Sequence, residues 1–255
     1  MCLIFLSFNQ HPDYPFIAVA NRDEFYERPA KPLAFWPEYP TIAAGKDLSG
    51  GGTWLGATKT GHFAMLTNYR DMANIKPKAP TRGKLVLDFL IGKIDPATYL
   101  QALLVSANLY NGYNLILGSF DDPWYFSNQS NKSYRLGTGS YGLSNALLDT
   151  TWPKVEYGKN VFNKIVNQKD IDPEELFTMM LNKELAEDDK LPETGIGYKK
   201  EKLLSSMFID MPGYGTRNTT LIIKNRSGEV LIKERTFERN NSSTIDNEVT
   251  FKIVQ

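Results

Sequence analysis

The chain of 255 residues is 42% hydrophobic and 23% charged, the balance of an ordinary globular protein rather than a disordered or fibrous one. Its 29 basic and 29 acidic residues cancel, so no summed field draws it to nucleic acid or an anionic membrane, and neither is an expected partner. The first apolar stretch, Cys2 to Phe8, is interrupted by Ser7 and closed by Asn9, Gln10, His11, Pro12 and Asp13. It is far shorter than the roughly 20 residues of a membrane span, and no Lys or Arg precedes Arg22 to form a secretory n-region. No spanning helix is expected, and the chain reads as unexported and cytoplasmic.

In chain order, Leu3 to Phe8 and Phe16 to Ala20 are β-branched and aromatic runs on either side of a Pro-containing turn, the pattern of a buried hairpin. Thr53 to Thr58 and His62 to Asn68 flank Lys59-Thr60-Gly61 as a second hairpin. Residues 81–91 place Leu85, Val86, Phe89 and Leu90 at helical spacing. Residues 96–107 repeat the pattern with Tyr99, Leu100, Leu103 and Leu104. Pro96 suits a first turn capped by Asp95. Tyr113 to Ser119 and Trp124 to Phe126 return to strand character. Residues 153–167 and 173–182 read as helices, the second opened by Asp172-Pro173-Glu174-Glu175. Residues 183–200, acidic and glycine-bearing, read as a solvated loop. Thr219 to Lys224 and Glu229 to Thr236 form a last hairpin about Ser227-Gly228. Strands, then helices, then strands predict a single α+β domain over residues 1–255 whose helices cover stacked antiparallel sheets.

Scarcity narrows the chemistry. Cys2 is the only cysteine, and His11 and His62 are the only histidines. No intrachain disulfide, thiolate cluster or multi-histidine metal site can be built. Gly142-Leu143-Ser144-Asn145-Ala146 resembles a nucleophile elbow, but it ends in Ala and no histidine follows His62. Gly137-Thr138-Gly139-Ser140-Tyr141-Gly142 spells a dinucleotide-binding pattern, but the segment after it is short, polar and holds Pro153, so no crossover helix receives a pyrophosphate. Cys2 remains. If Met1 is removed, residue 2 carries a thiol and a free α-amine, which titrate near about 8.5 and about 8 in model peptides. The amine can then act as the nucleophile's own base without a histidine. The other reading of Cys2 is a small hydrophobe opening a strand. Asn21-Arg22-Asp23-Glu24, at the end of the second strand, is a second constellation. It is either a surface turn or a site in which buried charges must be paired and hydrogen-bonded.

Several ordered motifs accompany Cys2. They are Ala20-Asn21-Arg22-Asp23-Glu24-Phe25-Tyr26-Glu27-Arg28-Pro29, Gly51-Gly52-Thr53-Trp54-Leu55-Gly56, Leu66-Thr67-Asn68-Tyr69, Tyr110-Asn111-Gly112-Tyr113-Asn114, Tyr141-Gly142-Leu143-Ser144-Asn145-Ala146 and Pro212-Gly213-Tyr214-Gly215-Thr216-Arg217. Together they resemble the NRDE family, also called the transport and Golgi organisation protein two family, over nearly the whole chain. That resemblance implies a four-layer αββα sandwich of two antiparallel sheets, like that of the N-terminal-nucleophile hydrolases. More distantly, the arrangement is similar to the cysteine amidases that cleave bile-salt conjugates and penicillin V. This likeness implies catalytic roles for Cys2, Arg22 with Asp23, Asn68, Asn145 and Arg217. In those amidases two residues separate the Arg from the Asp, whereas here they are adjacent, which leaves open which of Asn21, Arg22, Asp23 and Glu24 faces the thiol. Asn68 and Asn145 also fit as caps of strand ends, and Arg217 as a surface arginine. The implied activity is hydrolysis of a C–N amide or thioester bond in a small acyl substrate, with no cofactor required.

A second implication belongs to another class. The family has been linked to haem movement and to lipid and acyl-CoA homeostasis, which implies a non-catalytic carrier of an apolar ligand. Phe25, Tyr26, Phe35, Trp36, Tyr39 and Trp54 would serve such a ligand, though aromatics also fill cores. Haem would then be the cofactor, with Cys2, His11 or His62 as its axial ligand.

Overall fold

A computed structural model describes residues 2–92, 94–238 and 243–254, Cys2 by its backbone alone. The expected removal of Met1 falls on a residue outside these. The first two strands, β1 (Cys2–Phe8) and β2 (Phe16–Phe25), form the expected hairpin. In β1 the apolar run is explained by burial on both faces. Leu3 and Phe5 enter one core, Ile4 and Leu6 another, as the period of two in a strand requires.

The chain continues through β3 (Ala30–Trp36), β4 (Tyr39–Asp47), β5 (Leu55–Thr58) and β6 (His62–Asn68) to the helices α1 (Gly83–Ile91) and α2 (Pro96–Ser106). After these come β7 (Tyr113–Ser119), β8 (Asp122–Ser127), β9 (Lys132–Arg135) and β10 (Gly139–Leu143), then α3 (Pro153–Val166), α4 (Pro173–Met180) and α5 (Tyr198–Leu203). The chain closes with β11 (Asp210–Met211), β12 (Tyr214–Lys224), β13 (Glu229–Phe237) and β14 (Thr244–Lys252). One sheet has the order β10-β1-β2-β12-β13-β14, with β11 beside β12, and the other runs β3-β4-β5-β6-β7-β8-β9. The paired strands are antiparallel.

Three cores separate four layers. Between the sheets, Leu6, Ala18, Ile222 and Ile232 meet Ala57, Phe63, Met65 and Ile116. Outside the second sheet, Leu85, Val86, Phe89 and Leu100 of α1 and α2 cover Ala64, Leu115 and Phe126. Outside the first, Phe162, Ile165, Leu176 and Phe177 of α3 and α4 cover Phe5, Val19 and Leu221. The α+β, four-layer αββα sandwich expected from the resemblance is thus the architecture of the molecule. Among the described residues, no helix is long and apolar enough to cross a membrane.

Five departures from the sequence reading have physical causes. The second strand runs on through Asn21 to Phe25, so the polar quartet lies inside a strand rather than in a turn after it. β3 and β4 carry Pro32 and Pro40, which mask strand character in sequence. β3 tolerates its proline because it is an edge strand with an interrupted register. The glycine-rich segment matching the dinucleotide pattern is β10, paired with β1. A Cβ on Gly142 would lie 2.7 Å from Val155 Cγ1, so its glycine serves close packing of α3 rather than a phosphate. β14 pairs with β13 although its sequence alternates poorly, and α5 forms a short helix within the expected loop.

Candidate active site

The polar quartet divides between the faces of β2, because successive strand residues point to opposite sides. Asn21 faces the helical layer. Its amide donates to the carbonyls of Met180 at 3.0 Å and Met207 at 2.9 Å, and its Oδ1 accepts from Thr219 Oγ1 at 2.6 Å. Both amide hydrogens and one acceptor are therefore engaged. Asn21 ties β2 to the last residue of α4 and to the chain after α5, a role the sequence reading did not assign. Asp23 is also buried, its Oδ1 accepting from Thr216 Oγ1 at 2.7 Å. Burial pushes its carboxyl above the ordinary range, against the pull of Lys154 and Arg22 and the Thr216 hydroxyl.

Arg22 faces the space between the sheets. It is 5% exposed, and its guanidinium lies 4.1 Å from the centre of the Trp54 ring, while its Nη1 has no hydrogen-bond partner among the described residues. In the β1–β2 ladder its cross-strand partner is Cys2. The Cys2 side chain lies outside the described residues. Glu24, half-buried, sits 3.7 Å from Arg28, which makes a two-nitrogen contact with Asp47 Oδ2 at 2.9 and 2.7 Å. Burial would raise the Asp47 pKa, but Arg28 and the N–H groups of Gly50 and Ser49 hold it below the ordinary value.

Opposite Arg22 and Asp23 the register of β12 slips. Asn218 faces Arg22 and Thr216 faces Asp23, so Arg217 is the extra residue of a bulge. The bulge aims Arg217 away from Asp23, and its Nη1 donates to the carbonyls of Phe25 at 2.8 Å and Arg28 at 3.1 Å.

Asn68 ends β6. Its carbonyl accepts from Asn145 Nδ2 at 2.8 Å, and the Asn145 carbonyl accepts from Arg70 N at 2.8 Å. Asn114 extends this lacing, donating to Thr67 Oγ1 and to the carbonyl of Ala146. Arg70 itself forms a buried ion pair with Glu201 at 2.6 Å, which fastens the segment around α5 behind the site.

A cleft of about 290 Å³ gathers Arg22, Asp23, Glu24 and Asn68 with Arg28, Asp47 and Trp54. Asn21, Asn145 and Arg217 are not among its lining residues. Its wall is completed by the Gly52–Trp54 turn, which packs so closely on the start of α1 that a Cβ on Gly52 would lie 2.3 Å from the Gly83 backbone. The Arg28–Asp47 pair and the Arg70–Glu201 pair were not singled out from sequence. Each joins residues far apart in the chain, although Arg28 stands in one of the quoted motifs. Another hollow, of about 280 Å³ beside Pro153 and Asn182, contains none of the candidate residues.

Among the described residues, no group of three or more His, Cys, Asp and Glu is placed to hold a metal. His11 is buried in the β1–β2 turn, with Nδ1 accepting from Asp13 N and Tyr14 N and Nε2 facing the Gln168 carbonyl. His62 begins β6, six residues from Asn68, or roughly 20 Å along a strand. Neither lines the cleft.

The family model described as Transport and Golgi organisation 2 matches residues 1–239. The Transport and Golgi organization protein 2 homolog of Homo sapiens is 37% identical over 256 residues, covering 92% of each chain. The corresponding Mus musculus homolog is 35% identical at the same coverage. Among solved structures, a mutant of the conjugated bile acid hydrolase from Clostridium perfringens superposes with a TM-score of 0.48 at 11% identity, covering 99% of this chain and 97% of that one. With its motifs lying in order along the sandwich and matching over residues 1–239, the chain belongs to the Transport and Golgi organisation 2 family.

Proposed function

We propose that the protein is an N-terminal-cysteine hydrolase acting on an amide or thioester bond of a small acyl substrate, with Cys2 as nucleophile. The observation that supports this most is the β1–β2 ladder, which sets Cys2 opposite Arg22, a buried cation bordering the cleft whose Nη1 has no hydrogen-bond partner among the described residues. Positive charge beside a thiol favours the thiolate. With Met1 removed, the α-amine of residue 2 takes the thiol proton, and Asp23, one position further along β2, holds the resulting ammonium.

Sulfur then attacks the carbonyl carbon, forming an S–C bond and a tetrahedral oxyanion. Asn68, on the cleft wall, donates to that oxyanion, and Asn145 orients it through the bond to the Asn68 carbonyl. The C–N or C–S bond breaks as the leaving group receives the proton from the ammonium. Water, deprotonated by the freed amine, next attacks the acyl thioester, releasing the acid and restoring the thiol. Glu24 and Arg28 border the substrate entrance, and Arg217 braces the turn that carries Arg28.

The carrier reading draws no support from the cleft. Its walls are rich in charge, and neither histidine borders it, so they suit neither an acyl chain nor a histidine-ligated haem. The test is intact mass of the Met-processed full chain before and after incubation with a panel of acyl amides and acyl thioesters. An acyl adduct and turnover are expected, both lost in Cys2→Ser with ligand affinity nearly intact. Absence of adduct and turnover across the panel, alongside micromolar binding of haem or acyl-CoA, would overturn the hydrolase in favour of the carrier.

A further inference from the structure

The inner face of the first sheet changes character along its strands. Toward the β1–β2 turn it is apolar, with Leu6, Ala18, Ile222 and Ile232 packed into the inter-sheet core. Toward Cys2 two polar rows replace it. Arg22 pairs with Asn218 and Asn218 with Thr236, while Thr220 pairs with Glu234 and Glu234 with Asn247. Directly paired residues share a face, so these side chains converge. Glu234 and Thr220 satisfy each other, and Leu33 N completes the carboxylate. The other members do not. Arg22 Nη1, Asn218 Oδ1, Thr236 Oγ1 and Asn247 Oδ1 are all buried without a hydrogen-bond partner among the described residues.

These four atoms belong to residues that line one pocket of about 150 Å³, bounded on the facing sheet by Ala30 and Lys31 of β3. Arg22 borders both this pocket and the cleft, and so stands between them. Arg22 and Asn218 are each at least nine-tenths buried. Such groups are ordinarily hydrogen-bonded, so four atoms around one cavity without a partner among the described residues mark a place built for a ligand.

The charge of the wall identifies that partner. Its charged side chains, among the described residues, are Arg22, Lys31 and Arg217, all cationic. Three cations around so small a space repel one another and would repel an ammonium. The Thr236 hydroxyl can donate, and an Asn amide turned about its last bond presents N–H groups. The lining comes from strands, with no helix N-terminus opening onto it to receive a phosphate.

We propose that this pocket is a binding site for the carboxylate group of a small organic acid, held by Arg22 from the cleft side and by Asn218, Thr236 and Asn247 from the sheet. The site shares Arg22 with the hydrolase reading but does not depend on it, since it calls on neither Cys2 nor Asp23.

Calorimetric titration of the full chain with propionate, propionamide and inorganic phosphate tests it, with Trp fluorescence as a second readout because Trp54 stacks on Arg22. Propionate is expected to bind saturably at one site, with its isosteric amide at least tenfold weaker. Asn247→Asp, which adds a negative charge, and Lys31→Ala, at an exposed position, are expected to weaken propionate at least tenfold and severalfold respectively. Thermal midpoints near that of the wild type establish that both variants fold. Thr236→Val serves in place of Asn247→Asp if the latter fails to fold, with a severalfold loss expected. Equal binding of propionate and propionamide, tighter binding of phosphate, no saturable binding, or unchanged affinity in folded variants would each overturn the assignment.

Discussion

The two ends of the space between the sheets share strand β2, yet they solve burial differently. At one end Phe16, Phe63 and Phe120 form a cluster of rings, with centroids 4.5, 4.9 and 5.3 Å apart. At the other, Arg22, Asn218, Thr236 and Asn247 bring polar atoms inside, four of which have no hydrogen-bond partner among the described residues. The ring cluster needs nothing beyond itself. A buried polar group left without a partner costs about 1–3 kcal/mol, and such deficits concentrate where a protein handles ligands. Stability and function are thus separated along single strands, with β2 contributing Phe16 to one end and Arg22 to the other.

The largest effect expected from breaking this division is at the ring cluster. Phe63→Ala should cost about 3–5 kcal/mol in denaturant unfolding, from lost burial and the cavity left between Phe16 and Phe120. A loss below about 1 kcal/mol would mean that the cluster collapses around the gap and is not the rigid end of the layer.

Glu234 tests the other end. It is almost fully buried, and burial raises its pKa to about 7, against the Leu33 N–H, the Thr220 hydroxyl and the field of Arg22. Between the ordinary value of 4.5 and about 7, the folded protein holds a proton that the unfolded chain releases. The Glu234 contribution is therefore fully present below the ordinary value and is lost as pH rises to about 7, by roughly 3 kcal/mol in all. Urea midpoints of the wild type and Glu234→Gln at pH 4.5 and 8 should show the wild type losing more stability over that interval. Parallel profiles would place the titration elsewhere, Asp23 being the other buried carboxyl raised by desolvation.

Arg22→Met removes the charge but keeps the stem over Trp54. Because the guanidinium is buried with an Nη1 that has no partner among the described residues, stability should change by only about 1 kcal/mol in either direction. Iodoacetamide labelling of Cys2 near pH 7 should slow severalfold as the thiol pKa rises. An unchanged labelling rate in a folded variant would remove Arg22 from the activation of the nucleophile. A stability change of similar size is expected from Trp54→Leu. It forfeits a cation–π contact of about 0.5–2 kcal/mol while preserving an apolar neighbour for the core, and chemical denaturation resolves the difference.

Local patterns carried much of the architecture. The helix starts were legible because their signals are contained within a single turn. Asp95 Oδ1 accepts from Thr98 N at 3.0 Å and Asp172 Oδ1 from Glu174 N at 2.9 Å, as their sequence contexts predicted. The apolar strands β1, β6 and β7 were legible because both of their faces are buried. The candidate residues were found through family motifs rather than through any physical periodicity. Their division between the cleft and its support was invisible at that level, since Asn21, Arg22, Asp23 and Glu24 are consecutive and read alike.

By itself the sequence determined which segments must be buried, where α2 and α4 begin, and that neither a multi-histidine metal site nor a thiolate cluster can be built. Only the tertiary structure decided that the polar quartet lies within a strand. A polar run looks like a turn until its partners are known, and those partners, Thr216, Thr219, Met180 and Met207, stand more than 150 residues away. The β12 bulge, the weakly patterned strands β3, β9 and β14, and the second pocket were likewise decided by pairing between distant segments. Edge strands and inter-sheet cavities take their character from what packs against them, and a linear pattern records only the residue's own side of that contact.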